Sequence, residues 1–326
     1  MAYWLCEPGR GELRWERLPS RGPGDVLVRT LCSGISRGTE MLVFRGGVPK
    51  DQVDVMRAPF QGGDLPGPVK YGYLNVGIVE QGPVALVGRT VFCLYPHQSR
   101  YVVPARAVAV VPDSIPADRA VLAGTMETAL NAVWDAGALP GDRVAVVGAG
   151  MVGCCLARLL ARIPAVDVVL VDVDPTRAPA AAALGVGFAL PVEATADRDL
   201  VFHTSATSAG LQLSLDLLAA DGSVIELSWY GDTRVEVALG GDFHSRRLTV
   251  RASQVGEVAT RRRGRRTRAD RLATALDLLR DPALDVLVTG SSPLEDLPEV
   301  MRRMAAGELP GLLHTVTYGE GEPCSA

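Results

Sequence analysis

A glycine-rich turn between two apolar segments constrains the fold of this chain more than any other feature. The segment 144–153 reads VAVVGAGMVG, in which a short apolar run is followed by three glycines with GxGxxG spacing. A buried strand, a tight turn and the start of a helix have this pattern. Backbone N–H groups at the start of such a helix bind the pyrophosphate of a dinucleotide. The residues predicted at this contact are Gly148, Gly150, Met151, Val152 and Gly153.

An aspartate after the next apolar run indicates which dinucleotide is bound. The run Val168–Val171 is followed by Asp172, nineteen positions after Gly153. A carboxylate at this point can accept hydrogen bonds from the adenosine ribose and would repel a 2′-phosphate. NAD is therefore predicted in preference to NADP. The alternative is a solvated aspartate at a strand end, beside a glycine turn that binds nothing.

Length, composition and charge are those of an ordinary globular protein with room for two cores. The 326 residues are 48% hydrophobic and 21% charged, and the formal net charge of -4 predicts no general attraction to nucleic acid or to a membrane. The basic run Arg261–Arg268 is either a solvated loop or a contact for an anionic substrate or partner. We find no disulfide-like cysteine spacing, signal peptide or membrane span in the sequence, and we expect a cytoplasmic protein.

The order of patterns along the chain predicts two kinds of domain. Up to residue 118, short apolar runs lie between glycines and prolines, which is typical of antiparallel β structure. From 119 to 255, strands alternate with helices, as in a doubly wound parallel sheet of the α/β class. The remaining residues contain a predicted helix at Ala269–Arg280 and a second one near Pro298–Ala306, with short strands around the latter.

This order resembles the medium-chain dehydrogenase/reductase superfamily over nearly the whole chain. The resemblance also rests on GISRGTE at 34–40, GYLNVGIVE at 72–80 and PGD at 140–142. It implies a GroES-like β-rich substrate domain at 1–118, a Rossmann domain at 119–255 and a return segment at 256–326 that completes the first domain. Within the superfamily, SRGTE with GYLNVG is similar to the branch of bacteriochlorophyllide dehydrogenase-like proteins. The resemblance further implies a homodimer.

Many members of that superfamily hold a catalytic zinc, and the residues at the corresponding positions here are poor ligands. Those positions carry Ser36 (or Arg37), Tyr73 and, near the third, Gly124. Zinc prefers thiolate, imidazole or carboxylate groups. The segment 92–101 is also too short for the loop that binds a structural zinc. No metal is therefore predicted. The alternative is an improvised site with the ligands Glu40, His97 and Glu127.

Without a metal, side chains must polarise the substrate oxygen and exchange its proton. Tyr73 aligns with the missing zinc histidine and is the first candidate for proton donor, with a core tyrosine as the alternative. Lys70 is predicted to lower the pKa of Tyr71 or Tyr73. The resemblance implies proton transfer for Thr39, with an acid beside it. The residues predicted to be catalytic are Tyr73, Thr39, Glu40, Glu127, His97 and Lys70.

The resemblance also implies that the ends of the later Rossmann strands line the nicotinamide. The further cofactor contacts predicted are Arg177, Ser205, Ala206, Leu227, Ser228, Ser253 and Gln254. The residues predicted to touch substrate are Tyr95, His97 and Trp229. The predicted function is an NAD-dependent, zinc-independent dehydrogenase or carbonyl reductase for a secondary alcohol or ketone. The alternatives are an NADPH-dependent quinone or enoyl reductase and a nucleotide-binding sensor without catalysis.

Overall fold

The computed structural model describes residues 1–319, and the last seven positions of the predicted return segment lie outside the described residues. The strands are β1 (Ala2–Glu7), β2 (Arg10–Arg14), β3 (Asp25–Ile35), β4 (Gly62–Gly63), β5 (Val69–Lys70), β6 (Asn75–Gln81), β7 (Thr90–Cys93), β8 (Arg100–Pro104), β9 (Val108–Val110), β10 (Arg143–Val147), β11 (Asp167–Val171), β12 (Gly187–Ala189), β13 (Arg198–His203), β14 (Leu218–Glu226), β15 (Thr249–Ala252), β16 (Val288–Pro293) and β17 (Leu313–Thr317).

The helices are α1 (Thr39–Phe44), α2 (Ala117–Ala120), α3 (Ala123–Ala136), α4 (Met151–Leu160), α5 (Ala178–Ala183), α6 (Ser208–Asp216), α7 (Asp242–Ser245), α8 (Arg268–Leu278) and α9 (Leu297–Ala305). Short 3₁₀ segments occur at Ala105–Ala107, Pro175–Arg177, Pro282–Leu287 and Leu294–Asp296. The helices predicted at Ala269–Arg280 and near Pro298–Ala306 are confirmed, with bounds that differ by one or two residues. Among residues 1–319, no helix has the length and apolar composition needed to cross a membrane.

The chain forms two compact units. The first contains Met1–Gly124, Leu276–Arg280 and the described residues from Val288 onward. The second contains Thr125–Ala275 and Asp281–Leu287. The predicted return segment, 256–326, is therefore divided between the units. Its first twenty residues, 256–275, lie in the second unit, and its described residues from Val288 onward lie in the first.

The first unit is built on β-sheets. β3 is its long central strand, and its side chains alternate between buried and half-buried over most of its length, as expected of a strand with one face on a core. β3 pairs antiparallel with β6, β8 and β17, so the end of the described chain returns to the sheet formed by its beginning. A second, four-stranded sheet has the order β2-β1-β5-β4. Apolar residues of β1, α1 and α9 pack together in one core.

The second unit is a parallel six-stranded sheet with the order β12-β11-β10-β13-β14-β15. β10 lies inside the sheet, and its residues Val144–Val147 are all buried, which explains their unbroken apolar run. Numbered along the unit, the order is 3-2-1-4-5-6. The strand order reverses between β10 and β13, and dinucleotides bind at the carboxyl ends of the strands around such a reversal. The predicted doubly wound parallel sheet is confirmed.

Candidate functional site

The glycine turn joins β10 to α4, and at two of its glycines a Cβ atom would lie too close to neighbouring atoms. Gly148 has φ +110°, and a Cβ there would lie 2.7 Å from Thr204 Oγ1 and 2.8 Å from the backbone N of Ser205. A Cβ on Gly153 would lie 1.9 Å from the carbonyl oxygen of Gly148. The turn is therefore packed directly against the end of β13 and the start of its own helix.

The third glycine leaves space for a ligand rather than for packing. Gly150 precedes α4, and a Cβ on it would meet no atom of the described residues within 4 Å. The first N–H groups of a helix have no partner inside the helix, and in the described part of the chain no side chain caps this one. An open backbone with N–H donors at a helix N-terminus fits a pyrophosphate.

Asp172 lies at the glycine turn, as predicted. It follows β11, and its carboxylate accepts hydrogen bonds from the N–H of Ala149 (2.6 Å) and of Asp174 (2.9 Å). These contacts hold the carboxylate at the carboxyl edge of the sheet, on the side of β11 and β12. Arg177, a predicted cofactor contact, forms an ion pair with Asp174 at 3.2 Å.

Some of the predicted nicotinamide contacts come together at the ends of β13 and β14. Ser228 Oγ accepts a hydrogen bond from the N–H of Ala206 (3.1 Å), and Leu227 donates its N–H to the carbonyl of His203 (3.0 Å). Ser253 instead is buried and donates to Asp135 Oδ2 (2.8 Å). Three more predicted residues lie in the same unit: Gln254 is exposed, whereas Trp229 and Val152 are half-buried.

Two residues that the sequence analysis did not select complete the polar group at these strand ends. Glu226 lies beside His203 in the strand register, and its Oε2 is 2.7 Å from His203 Nδ1. Tyr230 donates its hydroxyl to the same carboxylate oxygen (2.9 Å). Burial alone would raise the pKa of Glu226, but hydrogen bonds from His203 and Ser228 lower it below its ordinary value. The sequence did contain a signal for this group, because His203 and Glu226 each end an apolar strand.

In the first unit, the hydroxyl groups of Ser36 and Thr39 lie near the phenol of Tyr73. The side-chain hydroxyls of Ser36 and Thr39 are near enough to this phenol to act on its pKa, and all three residues are half-buried. Burial raises the pKa of Tyr73 to about 12, with the charge of Glu40 adding to the rise and the two hydroxyls opposing it. Tyr73 therefore remains protonated at neutral pH.

Glu40 and His97, both predicted to be catalytic, form a buried pair behind these hydroxyls. They are 2% and 1% exposed, and Glu40 Oε2 lies 2.9 Å from His97 Nε2. His97 Nδ1 lies 2.7 Å from Ser33 Oγ, which in turn lies 2.7 Å from the hydroxyl of Tyr318. Both ring nitrogens of His97 are thus occupied inside the unit. A ring in this state cannot also reach a substrate, so the predicted substrate contact by His97 is not supported.

The predicted effect of Lys70 is wrong. Its ammonium binds Glu16 Oε2 (2.6 Å) and Gln98 Oε1 (2.7 Å). Burial raises the pKa of both Tyr71 and Tyr73, and the neighbouring charges that act on them are negative or phenolic. The ammonium of Lys70 is therefore buried, and its charge is neutralised by the carboxylate of Glu16.

Tyr95, a predicted substrate contact, is buried. Its ring stacks on Tyr101 with centroids 3.9 Å apart. It fills the core of the first unit in this structure.

Glu127, in α3 of the second unit, is held by a buried arginine. Its Oε1 accepts from Arg271 Nε at 3.0 Å, and Arg271 also donates to Asn131 and to the carbonyls of Val255 and Glu257. Burial raises the pKa of Glu127 and Arg271 opposes the rise. Arg271 thereby ties α3 to the segment before α8. This arrangement accounts for the burial of Glu127 without any contact to a ligand.

The donor set does not fit the catalytic zinc that the resemblance would imply. Ser36 and Tyr73 present hydroxyl groups at the aligned positions, and Gly124 presents no side-chain ligand. His97 Nε2 and Glu40 Oε2 face each other as a hydrogen-bonded pair rather than a common ion. Within residues 1–319, no three His, Cys, Asp or Glu side chains are grouped as metal ligands.

Comparison with solved structures establishes the fold. No model of a known protein family matches the chain. The chain is similar to a protein of Sinorhizobium meliloti 1021 described as a zinc-binding dehydrogenase and bound to NADP (20% identity, 97% of this chain and 98% of that one, TM-score 0.76). It is similar to 2R,3R-butanediol dehydrogenase of Bacillus subtilis (18%, 97% and 99%, TM-score 0.76). A third similar structure is an alcohol dehydrogenase of Escherichia coli CFT073 with NADH (14%, 97% and 98%, TM-score 0.76).

The similarity extends over almost the full length of each of these chains. The predicted fold class, a GroES-like β-rich domain and a Rossmann domain, is confirmed. The three structures share this fold with the present chain at identities that leave activity and cofactor to be inferred from the residues themselves.

Proposed function

We propose that this chain is an NAD(H)-dependent dehydrogenase or carbonyl reductase that acts on a secondary alcohol or ketone without zinc. The observation that carries the proposal is the glycine turn, whose open backbone at Gly150 and N–H donors at the start of α4 fit a pyrophosphate. The cluster formed by the hydroxyls of Tyr73, Ser36 and Thr39 can supply the proton transfer that such a reaction needs.

The cofactor preference is proposed from Asp172. Solved structures of similar fold are bound to NADP in one case and to NADH in another, so the fold alone does not select between them. Asp172 is placed at the turn by the N–H of Ala149, on the side of the sheet where the adenosine half of a dinucleotide binds. A second negative charge on a 2′-phosphate would be repelled there. We therefore propose NAD(H).

Tyr73 is the proposed proton donor. When bound, the nicotinamide supplies or accepts the hydride. Tyr73 holds a proton on its phenolic oxygen, because its pKa is raised to about 12, and donates it as a carbonyl oxygen becomes an alkoxide. The nearby hydroxyls of Ser36 and Thr39, which oppose the rise in the pKa of Tyr73, would stabilise the phenolate left behind.

Glu40 and His97 have a positioning role in this proposal. Glu40 Oε1 accepts the backbone N–H of Ser36 (2.9 Å), and its other oxygen binds His97. The pair fixes the turn that carries Ser36 and Thr39. Because both side chains are buried, they act on the reaction through these hydroxyl groups.

A binding titration and a substrate panel test the proposal. We expect NADH to bind at least about tenfold more tightly than NADPH, and turnover with some member of a panel of secondary alcohols and ketones. A reversed preference would contradict the NAD proposal and favour a quinone or enoyl reductase. Tight NADH binding with no turnover across the panel would favour a nucleotide sensor.

Two further measurements address metal and assembly. Elemental analysis of purified, active protein should find no stoichiometric zinc, and one zinc per chain would overturn the zinc-independent mechanism. Light scattering should give the mass of a dimer if the homodimer implied by the resemblance is correct. A monomer mass would remove that part of the proposal.

A further inference from the structure

The basic run Arg261–Arg268 forms a folded turn in the second unit. Backbone N–H groups within the run donate to the carbonyls of Ala259 and Arg262 at distances between 2.7 and 3.0 Å. Ala259 is buried, and its own N–H donates to Asn131 Oδ1 in α3 at 3.0 Å. The run therefore has a defined backbone conformation, which a merely solvated loop does not need.

Contacts with α3 anchor the run on both sides. Arg271, which follows it, is 2% exposed and donates to Glu127 of α3 and to the carbonyl of Glu257. Within the run, the guanidinium of Arg262 lies 5.8 Å from the centre of the Trp134 ring. These contacts hold the run at the surface, where all six of its arginines are exposed.

Two exposed carboxylates lie beside the run. Glu257 Oε1 lies 2.7 Å from Arg268 Nη2. Hydrogen bonds from Thr267 lower the pKa of Asp270, and the positive charge of Arg266 contributes to the same shift. Glu257 and Asp270 therefore offset part of the charge of the run.

The run nevertheless has a local excess of positive charge. Its six arginines exceed the two carboxylates beside it by four, in a chain whose formal net charge is -4. Buried Glu127 does not reduce this excess, because it pairs with Arg271. Like charges at this density repel each other, and the contacts with α3 hold them together against that repulsion. An anion bound to the run would relieve the repulsion.

The chemistry of the run favours a phosphate ligand. The guanidinium group has a planar fork of N–H donors that matches phosphate oxygens, and a terminal phosphate offers three acceptor oxygens and up to two negative charges. One such group cannot neutralise an excess of four charges, so the ligand needs at least two. The run contains no aromatic residue, and single-stranded nucleic acids are bound largely by base stacking on aromatic side chains. A compact ligand with consecutive phosphates therefore fits better than a nucleic acid.

We infer that the basic run binds a small anion with two or more consecutive phosphate groups, and that Arg265 and Arg266 are its main ligands. Among residues 1–319, these two guanidinium groups have no carboxylate within ion-pair distance. The other four are engaged, Arg261 and Arg262 by the end of α3 and the remaining two by Glu257. The inference does not depend on the proposed dinucleotide function.

Calorimetric titration of the full-length protein with tripolyphosphate tests the inference. We expect the wild type to bind, and the double variant Arg265→Gln/Arg266→Gln to lose at least about tenfold in affinity. The matched control is Arg106→Gln/Arg303→Gln, which removes the same charge from two exposed arginines of the first unit and should bind like the wild type. Because the first variant relieves repulsion, its melting temperature should not fall. A lower melting temperature would contradict the repulsion argument and overturn the inference.

The glycine turn is a second place where phosphates could bind, so the titration is repeated in Gly150→Ala protein. Binding at the basic run should persist there. The inference is overturned if Gly150→Ala abolishes the binding, if the wild type does not bind tripolyphosphate, or if the control variant loses as much affinity as Arg265→Gln/Arg266→Gln. Tighter binding of a single-stranded oligonucleotide with the same number of phosphates would also overturn it, in favour of a nucleic-acid backbone.

ATP identifies the source of the phosphates, because it carries the same three groups on a nucleoside. The comparison uses Gly150→Ala protein, in which the glycine turn does not compete. Equal affinity for ATP and tripolyphosphate would show that the phosphate chain alone is recognised. Tighter binding of ATP that is lost in Arg265→Gln/Arg266→Gln would identify a nucleotide as the ligand of the same run.

Discussion

Two substitutions in the glycine turn should have different effects. Gly153→Ala should lower stability, whereas Gly150→Ala should weaken nucleotide binding. In Gly153→Ala the new Cβ would lie 1.9 Å from the carbonyl oxygen of Gly148, where an ordinary contact needs about 3.4 Å or more. The obstacle is backbone, so α4 must move by about 1.5 Å relative to the turn. Overpacking of this kind costs about 1–3 kcal/mol, which lowers the melting temperature of a domain of 150–250 residues by about 2–12 °C.

Gly150→Ala should behave in the opposite way. Gly150 has an ordinary φ of -79°, and its new Cβ would meet no atom of residues 1–319 within 4 Å. The loss of a tolerated glycine at the helix start is offset by the smaller entropy of the unfolded chain, so the free energy of unfolding should change by less than about 0.5 kcal/mol. The Cβ does fill the approach to the N–H groups of α4. Binding of ADP and NADH should weaken at least about tenfold.

Thermal unfolding and calorimetric titration of the two variants provide the measurement. Gly150→Ala protein that melts like the wild type and binds ADP with wild-type affinity would refute the assignment of the turn as a pyrophosphate site. Gly153→Ala protein with an unchanged melting temperature would refute the packing argument. The wild type is the reference for both.

Four other predictions concern side chains that are buried or half-buried. Tyr73→Phe should lower ketone turnover by about 10² or more while NADH affinity is kept, and unchanged turnover would exclude Tyr73 as the proton donor. Arg271→Met should lower the free energy of unfolding in urea by about 3–5 kcal/mol, because it leaves Glu127 buried without its cation. Glu127→Gln should leave kcat unchanged. A loss of kcat in a Glu127→Gln protein of wild-type stability would instead support the catalytic role predicted from the sequence. Burial raises the pKa of the Cys93 and Cys154 thiols from 9.0 to about 12. The unfolded thiols lose their protons first, so each should lower stability by about 1.4 kcal/mol per pH unit above pH 9. Urea unfolding between pH 8 and 10 checks this, and stability that rises with pH would contradict it.

The parts of the fold that depend on local pattern could be predicted. The GxGxxG turn, the buried strand before it and Asp172 after the next strand are all within thirty residues, and the structure brings them together. The partners that give the polar groups their properties are distant in sequence. Ser33 and Tyr318 are 285 positions apart, and His97 meets Glu40 across 57. Periodicity and spacing carry no information on such pairs.

The error at Lys70 has a similar origin. The positive charge was expected to lower the pKa of a neighbouring tyrosine, which is correct for an unpaired ammonium in that position. The ammonium is neutralised by Glu16, 54 positions away. Burial, which the sequence does not quantify, then decides the sign and raises the pKa of Tyr73. A charge effect can be predicted from sequence only when the charge has no other partner.

Each unit contains a chain that runs from a carboxylate through a histidine to a serine, and the exposure of the last residue distinguishes their roles. In the first unit the chain continues from Ser33 to Tyr318, and all of its members are buried. In the second unit it reaches Ser205, which is half-buried at the glycine turn. The chain in the first unit is therefore closed to solvent, whereas the chain in the second unit is open at Ser205. The closed chain can influence a substrate only by holding the turn that carries Ser36, whereas the open chain ends in an atom that a ligand can touch. Substitution of Glu40 should consequently alter kcat together with stability, and substitution of Glu226, which accepts hydrogen bonds from His203, Ser228 and Tyr230, should also lower stability.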